Sequence, residues 1–130
     1  MVPPGTLIGR TMSGRLKILV VEDDALIAME LEERLQELGY EVLGPVATVE
    51  DAERVIAETR PDAALLDANL AGVSSVPIGV RLAGMGVPLA FCTGYDQIKN
   101  APPELANAPI LTKPISDADL VAGLKALVGG

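Results

Sequence analysis

Short continuous apolar runs alternate along the chain with segments in which apolar residues recur every three or four positions. An apolar run bounded by polar residues is typical of a strand that is buried on both faces, as in parallel sheets. A recurrence of three to four residues is typical of an amphipathic helix. The runs predict five strands, at 16–21, 40–46, 62–67, 87–92 and 109–112.

The segments between these runs carry helix start signals. Asp24 is predicted to cap the first helix, and the pairs Thr48 with Asp51 and Ser116 with Asp119 resemble capping boxes for the second and last helices. The predicted helices lie at 25–38, 49–59, 77–85 and 117–127, with a short, weak helix expected within 96–108. The residues predicted to face inward on the first two helices are Ile27, Leu31, Leu35, Leu38, Val49, Ala52, Val55 and Ile56.

Strict alternation of five strands and about five helices predicts an α/β fold. In such a fold, helices cover both faces of an open parallel sheet and the crossovers are right-handed. Ligands bind such sheets beyond the carboxyl ends of the strands. We interpret residues 1–14 as a flexible leader, since they hold little pattern, and residues 15–130 as one folded domain.

Composition narrows the range of functions. The 130 residues carry a formal net charge of −8, which argues against nonspecific binding of nucleic acid and provides no basic patch for anionic membranes. The chain has no His, so a Ser-His-Asp triad, His-ligated zinc and a phosphohistidine on this chain are excluded. Cys92 is the single cysteine, which favours a reducing, cytoplasmic setting. No apolar run reaches the roughly 20 residues that span a bilayer.

Polar residues follow four of the predicted strands directly. Glu22 and Asp23 follow the first strand, Asp67 ends the third, Thr93 follows the fourth and Lys113 follows the fifth. All should meet at one edge of the sheet, where crowded carboxylates favour a hard cation such as Mg²⁺. A carboxylate nucleophile flanked by a metal and a lysine is suited to accepting a phosphoryl group.

Each residue alone also has an ordinary explanation. An acidic pair after a strand often only caps a helix, and a strand-ending Asp often forms a turn. Thr93 alone fits a turn and Lys113 alone fits an exposed position, whereas Cys92 fits a buried apolar site. The conjunction of the required residue types at four strand ends favours a common site.

Four segments, ILVVEDD, LLDANL, FCTGYD and LTKPI, resemble in order and spacing the signature segments of response-regulator receiver domains. The resemblance covers about 16–127. FCTGYD further resembles a subgroup sometimes called the FAT GUY receivers. The family implies a flavodoxin-like, doubly wound (βα)5 sheet with strand order 2-1-3-4-5. It also implies phosphoryl transfer from a histidine kinase or phosphotransfer protein, and a downstream protein target.

The resemblance assigns metal and phosphoryl roles residue by residue. It implies that Asp67 is the phosphoacceptor and that Mg²⁺ is bound by Asp67 and Asp23 directly and by Glu22 through a water. It implies that Asn69 offers its backbone carbonyl to the metal. Slow loss of the phosphoryl group would follow from the lability of an acyl phosphate, so we expect no enzyme in the ordinary sense.

The resemblance assigns the remaining site residues to the response. Thr93 and Lys113 would each bind a phosphoryl oxygen, and the Lys113–Pro114 peptide bond is cis in the family. Many receivers carry an aromatic residue where this chain has Ile110. We therefore hypothesise that Gly94 and Tyr95 take over part of the switching, the alternative being that Tyr95 only covers the edge of the site.

Other functions stay open at this point. A phosphatase of the haloacid-dehalogenase type also uses a strand-end Asp, Mg²⁺ and Lys, but it needs an Asp-x-Asp pair after its first strand, whereas here the site Asp follows the third. A flavodoxin-like cofactor binder would need a phosphate loop after the first strand, and a degenerate receiver would lack part of the residue set. The sequence does not determine the cognate kinase, the target or the oligomeric state.

Overall fold

The computed structural model describes residues 15–95, 98 and 101–129. The predicted α/β class and strand order are confirmed, since five parallel strands form one sheet in the order β2-β1-β3-β4-β5. The strands are β1 (Lys17–Val21), β2 (Glu41–Val46), β3 (Ala63–Asp67), β4 (Leu89–Thr93) and β5 (Ile110–Thr112). The α-helices among the described residues are α1 (Ala25–Glu37), α2 (Val49–Glu58), α3 (Val76–Gly84) and α4 (Asp117–Val128).

The sheet separates two apolar cores, because successive side chains of a strand point to opposite faces. On β1, Leu19 and Val21 pack in the core that contains side chains of α2 and α3. Ile18 and Val20 pack in the core that contains side chains of α1 and α4. Helices therefore cover both faces, which explains why the central strands are continuous apolar runs rather than alternating ones.

The predicted helix caps are confirmed, whereas part of the predicted inner face of α1 is wrong. Asp24 Oδ1 accepts hydrogen bonds from the backbone N–H groups of Leu26 and Ile27 at 2.9 and 3.1 Å. Leu31 is buried as predicted, but the side chains of Ile27 and Leu38 are 40% and 44% exposed. Ile27 lies in the first turn and Leu38 is the C-cap, so both occupy the ends of a helix whose middle contacts the sheet.

The predicted loop between β3 and α3 contains a small hairpin. The two-residue strands Asn69–Leu70 and Val73–Ser74 pair antiparallel. Ala71 and Gly72 form the turn with φ of 53° and 92°, and positive φ at both turn residues is the pattern of a tight two-residue hairpin. Strands this short carry no periodicity, so they cannot be predicted from the hydrophobic pattern. The hairpin holds the chain close to Asp67 as it leaves the sheet.

The segment before β5 contains only a 3₁₀ turn, Pro103–Leu105, within its described part. Leu105 is buried in the core on the α3 side. Asp96, Gln97, Lys99 and Asn100, which belong to the weak helix expected at 96–108, lie outside the described residues, as does the predicted leader 1–14. Among the described residues, no helix has the length and apolar character required to cross a membrane.

An irregularity in β2 sets the backbone that leads into the site. The β1–β2 register pairs Leu19 with Leu43 but Val21 with Val46, so β2 carries one extra residue. Gly44 adopts φ 92°, and a Cβ at this position would lie 2.7 Å from the Val46 nitrogen, which favours glycine there. The shift lets the Val46 carbonyl accept the Glu22 N–H at 2.8 Å. Such bulges occur next to functional sites.

Candidate functional site

Three carboxylates converge at the carboxyl ends of the two central strands. Glu22 and Asp23 follow β1, and Asp67 ends its neighbour β3. Each offers a carboxylate oxygen within 4.8 Å of the others. The Glu22 and Asp67 side chains are only 4% and 12% exposed, whereas Asp23 is exposed. The pocket is thus walled on the Glu22 side and open at Asp23.

Lys113 neutralises part of this charge from the end of β5. Its Nζ lies 2.7 Å from Glu22 Oε1 and 3.3 Å from Asp67 Oδ2, and its side chain is 23% exposed. The Lys113 N–H donates to the Thr93 carbonyl at 2.7 Å, which ties the residue to β4. The Lys113–Pro114 peptide bond is cis, as the resemblance implies. The lysine is therefore held at the same edge of the sheet as the carboxylates.

The chain after Asp67 turns back toward its carboxyl group. The Asn69 backbone N–H donates to Asp67 Oδ1 at 3.2 Å. The side-chain oxygen of Asn69 accepts the Gly72 N–H at 2.6 Å and so belongs to the hairpin turn. The side chain of Asn69 is thereby engaged, and the remaining contribution it can make near Asp67 comes from its backbone.

The residues at the end of β4 border the site, and their exposure increases from Thr93 to Tyr95. Thr93 is 6% exposed, and its Oγ1 accepts the Tyr95 N–H at 3.3 Å. Gly94 is exposed, and the Tyr95 side chain is 75% exposed. The Tyr95 ring therefore lies largely in solvent.

Burial and like charge make ionised Asp67 unfavourable. Burial is the main cause that raises the pKa of Asp67 from 3.8 to about 6, and Glu22 raises it further, against the opposing Asn69 N–H and Lys113. Burial alone lowers the pKa of Lys113, but the hydrogen bond to Glu22 and the charges of both carboxylates raise it overall. At neutral pH the pocket holds more negative charge than the one lysine balances.

The donor set fits a hard divalent cation. Glu22, Asp23 and Asp67 supply carboxylate oxygens that can converge on one ion, and oxygen ligands with retained waters are what Mg²⁺ prefers. Burial mainly, and Glu22 in addition, raises the pKa of Asp67, and a bound cation would stabilise the ionised carboxylate. Burial also raises the pKa of the adjacent Cys92 thiol to about 12, so this cysteine is an inert apolar neighbour at neutral pH.

We expect Asp67→Asn to stabilise the metal-free protein by about 1–2 kcal/mol at pH 7, since the shift of the Asp67 pKa opposes folding while the group is charged. The folded state takes up a proton on Asp67 near pH 6, before the unfolded state does at about 3.8. The wild type therefore gains stability as pH falls through this window, and the gap to the variant closes. Urea unfolding at several pH values measures this. A constant gap, or a less stable variant, would contradict it.

The structure brings the residues predicted at separate strand ends to one edge of the sheet. Within this group, the Lys113 ammonium lies closer to Glu22 than to Asp67. The sequence order of segments cannot reveal this preference, which depends on the depth of Glu22. Both residues remain within reach of one ammonium group.

Carboxylates and a lysine at the carboxyl ends of a 2-1-3-4-5 parallel sheet define the class of receiver domains. Residues 18–125 match the family described as the response regulator receiver domain. The chain belongs to this family, whose members receive signals in two-component systems.

Relatives of known sequence or structure agree with this assignment. The chain is 32% identical over 114 residues to the positive alginate biosynthesis regulatory protein of Pseudomonas aeruginosa, covering 85% of this chain and 46% of that protein. It superimposes on the receiver domain of the response regulator PhyR from Erythrobacter litoralis with a TM-score of 0.78, 28% identity and coverage of 93% and 94%. For SdrG from Sphingomonas melonis Fr1 the TM-score is 0.75 with 36% identity and coverage of 90% and 99%. The chain spans about half the length of the first curated relatives.

Proposed function

We propose that Asp67 is the phosphoacceptor of this receiver domain, and that its phosphorylation changes the surface around Thr93 and Lys113. The observation that carries the proposal is the position of Lys113 Nζ, 2.7 Å from Glu22 and 3.3 Å from Asp67, inside a cluster of three carboxylates. This places a nucleophilic carboxylate, a cation and a metal-type donor set in one pocket. If these residues only capped helices or formed turns, they would not need to lie this close to one another.

The phosphoryl step forms one bond and breaks one. A carboxylate oxygen of Asp67 bonds to phosphorus, the P–N bond of a donor phosphohistidine breaks, and its electron pair stays on the imidazole nitrogen, which takes up a proton. Negative charge spreads over the phosphoryl oxygens during transfer. Lys113 Nζ, already 3.3 Å from Asp67, shares that charge from the β5 side, and the Thr93 hydroxyl donates to another oxygen.

Glu22, Asp23, Asp67 and the Asn69 backbone carbonyl would hold Mg²⁺. Bound there, the ion would supply charge neutralisation for the carboxylates and the phosphoryl oxygens. Glu22 already uses Oε2 to accept the Asp24 N–H at 3.1 Å and Oε1 to contact Lys113. These contacts favour an indirect role for Glu22, through a water, over direct coordination.

The switch is proposed in the residues after β4 and β5. The Thr93 hydroxyl gives up its contact with the Tyr95 N–H, 3.3 Å in this state, when it turns toward the phosphoryl group. Gly94 imposes little restraint on this motion, and exposed Tyr95 is carried with the backbone. The Lys113–Pro114 segment borders the site from the β5 side. Phosphorylation would bias an existing equilibrium between two arrangements of these residues rather than build a new fold.

The upstream partner in this proposal is a histidine kinase or phosphotransfer protein in the cytoplasm, and the downstream partner is a protein that reads the altered surface. The acidic balance, −8 overall, does not favour contact with nucleic acid or anionic membranes through this domain. The domain acts as a signalling acceptor with slow self-dephosphorylation, not as a turnover enzyme. The haloacid-dehalogenase alternative fits poorly because the site aspartate ends β3.

Beryllofluoride, a stable mimic of an aspartyl phosphate, tests this proposal. We expect Mg²⁺ alone to shift amide resonances near Glu22, Asp23 and Asp67. Beryllofluoride added with Mg²⁺ should then shift Thr93, Gly94 and Lys113 with saturation. Fluoride with Mg²⁺ but without beryllium is the control. Unchanged resonances at Thr93 and Lys113, or the same changes without Mg²⁺, would refute it.

A further inference from the structure

We infer that Arg34 of α1 is a positioning residue for Lys113, acting through the loop that joins β5 to α4. The inference rests on the proposed phosphoacceptor function. Arg34 contacts none of the carboxylates that form the pocket in the described contacts. Its effect would be to fix the backbone from which the Lys113 side chain reaches the phosphoryl group.

The contacts of Arg34 converge on that loop. Its Nη2 donates to the Ile115 carbonyl at 3.0 Å and lies 2.9 Å from Asp117 Oδ1. Its Nη1 lies 3.6 Å from Glu30 Oε1, one turn earlier on the same helix. The Arg34 side chain is 20% exposed, so the guanidinium is largely enclosed between α1 and the loop.

The loop is short, and the two known ties lie on either side of the functional residue. The Lys113 N–H is bound to the Thr93 carbonyl on one side. Two residues later, the Ile115 carbonyl is bound to Arg34 on the other. With both ends held, the starting point of the Lys113 side chain is fixed relative to the sheet. Loss of the second tie would let the backbone around Lys113–Pro114 shift.

Apolar packing holds the helix that carries Arg34. Leu31 and Leu35 of α1 belong to the same core as Leu120 and Leu124 of α4, so Arg34 extends from a helix that is packed on the sheet. A side chain on a well-packed helix can hold the backbone that it contacts in place, and catalytic geometry is sensitive to small displacements. α1 carries no other basic residue, which distinguishes Arg34 from the rest of the helix.

The carbonyl bond, rather than the ion pair, should carry the effect. The Asp117 side chain is 93% exposed, and ion pairs of exposed partners contribute little. The bond from the guanidinium to the Ile115 carbonyl is charge-assisted and partly buried, which makes it the stronger contact. Loss of Asp117 should therefore matter less than loss of Arg34.

Two ligands that rely on different parts of the pocket test the inference. Lys113 would bind the phosphoryl group, whereas Mg²⁺ would bind the carboxylates, so Arg34→Met should weaken beryllofluoride binding in saturating Mg²⁺ about three- to tenfold. Its affinity for Mg²⁺ alone should stay within about twofold of wild type. Arg34→Lys retains a donor and should recover most of the loss. Amide NMR titrations measure all of these affinities.

Asp117→Asn and Arg54→Met are the matched controls, since Arg54 pairs with Asp51 on the exposed side of α2. Both should bind beryllofluoride like wild type. The inference is overturned if Arg34→Met and Arg34→Lys bind beryllofluoride normally, if Mg²⁺ affinity falls equally, or if Asp117→Asn has the full effect. If Arg34→Met does not fold, Arg34→Lys tests the inference. A shifted Lys113 amide resonance with a small loss of beryllofluoride affinity would support the inference, and an unchanged resonance and affinity would overturn it. Wild type that fails to bind beryllofluoride would refute the phosphoacceptor proposal itself, and the inference with it.

Discussion

Asp67→Asn is expected to abolish phosphorylation of the protein by a small phosphodonor such as acetyl phosphate in the presence of Mg²⁺. The amide oxygen of Asn is a poor nucleophile, and the neighbouring acids are poorly suited to replace it. Both oxygens of Glu22 are engaged, one by Lys113 and one by the Asp24 N–H. Asp23 is exposed, and the Lys113 ammonium is directed at Glu22 and Asp67 instead. Intact-mass measurement should show one added phosphoryl group on the wild type and none on the variant.

Asp119→Asn is a suitable control, because Asp119 is an exposed acid in the first turn of α4, away from the strand ends. It should be phosphorylated as fully as wild type. Retention of the added mass by Asp67→Asn would show that another group accepts the phosphoryl. Peptide mapping would then identify it, and the assignment of Asp67 would be wrong.

The same residue links function to stability. Ionised Asp67 is unfavourable in its pocket, as its raised pKa of about 6 indicates. A carboxylate that is poorly stabilised by the protein is a better acceptor for a metal or a phosphoryl group than one satisfied by several donors. The substitution proposed to remove phosphoryl acceptance is therefore also the one expected to strengthen the metal-free fold, which is the usual trade-off at functional sites.

Most of the fold follows from local pattern. The first strand, Lys17–Val21, begins one residue after the predicted 16–21 and ends where predicted, because burial on both faces requires a short continuous apolar run. Caps such as Thr48, whose Oγ1 accepts the Asp51 N–H at 3.1 Å, are equally local. The hairpin at Asn69–Ser74 is not predictable in this way, since its turn depends on Ala71 accepting φ 53°, a conformation that alanine does not signal.

The candidate site, like the fold, could be predicted only in part. Strand ends at one edge of a parallel sheet must be neighbours, so the gathering of Glu22, Asp67 and Lys113 follows from topology once the order of strands is known. The choice of carboxylate that the lysine contacts does not follow from topology, because it depends on burial and on the details of side-chain packing. The contact from Arg34 to Ile115 spans 81 positions, and no motif connects the two.

Lys113→Met is expected to destabilise the metal-free protein by about 2–4 kcal/mol at pH 7, because it leaves Glu22, whose side chain is 4% exposed, without its countercharge. Lys113 also lowers the pKa of Asp67, so its loss should raise that pKa further. The difference from wild type should shrink as pH falls through about 6 and Asp67 takes up a proton. Mg²⁺ should recover part of the loss by binding the carboxylates. Urea unfolding with and without Mg²⁺ measures these effects.

Lys125→Met provides the comparison, since Lys125 is an exposed residue in the last turn of α4. Its loss should cost no more than about 0.5 kcal/mol, and neither pH nor Mg²⁺ should change that cost. If Lys113→Met were as stable as Lys125→Met at pH 7, the carboxylates would not depend on the lysine. The charge that balances Asp67 and Glu22 would then have to come from another cation. An Mg²⁺ effect of the same size on both variants would lead to the same conclusion.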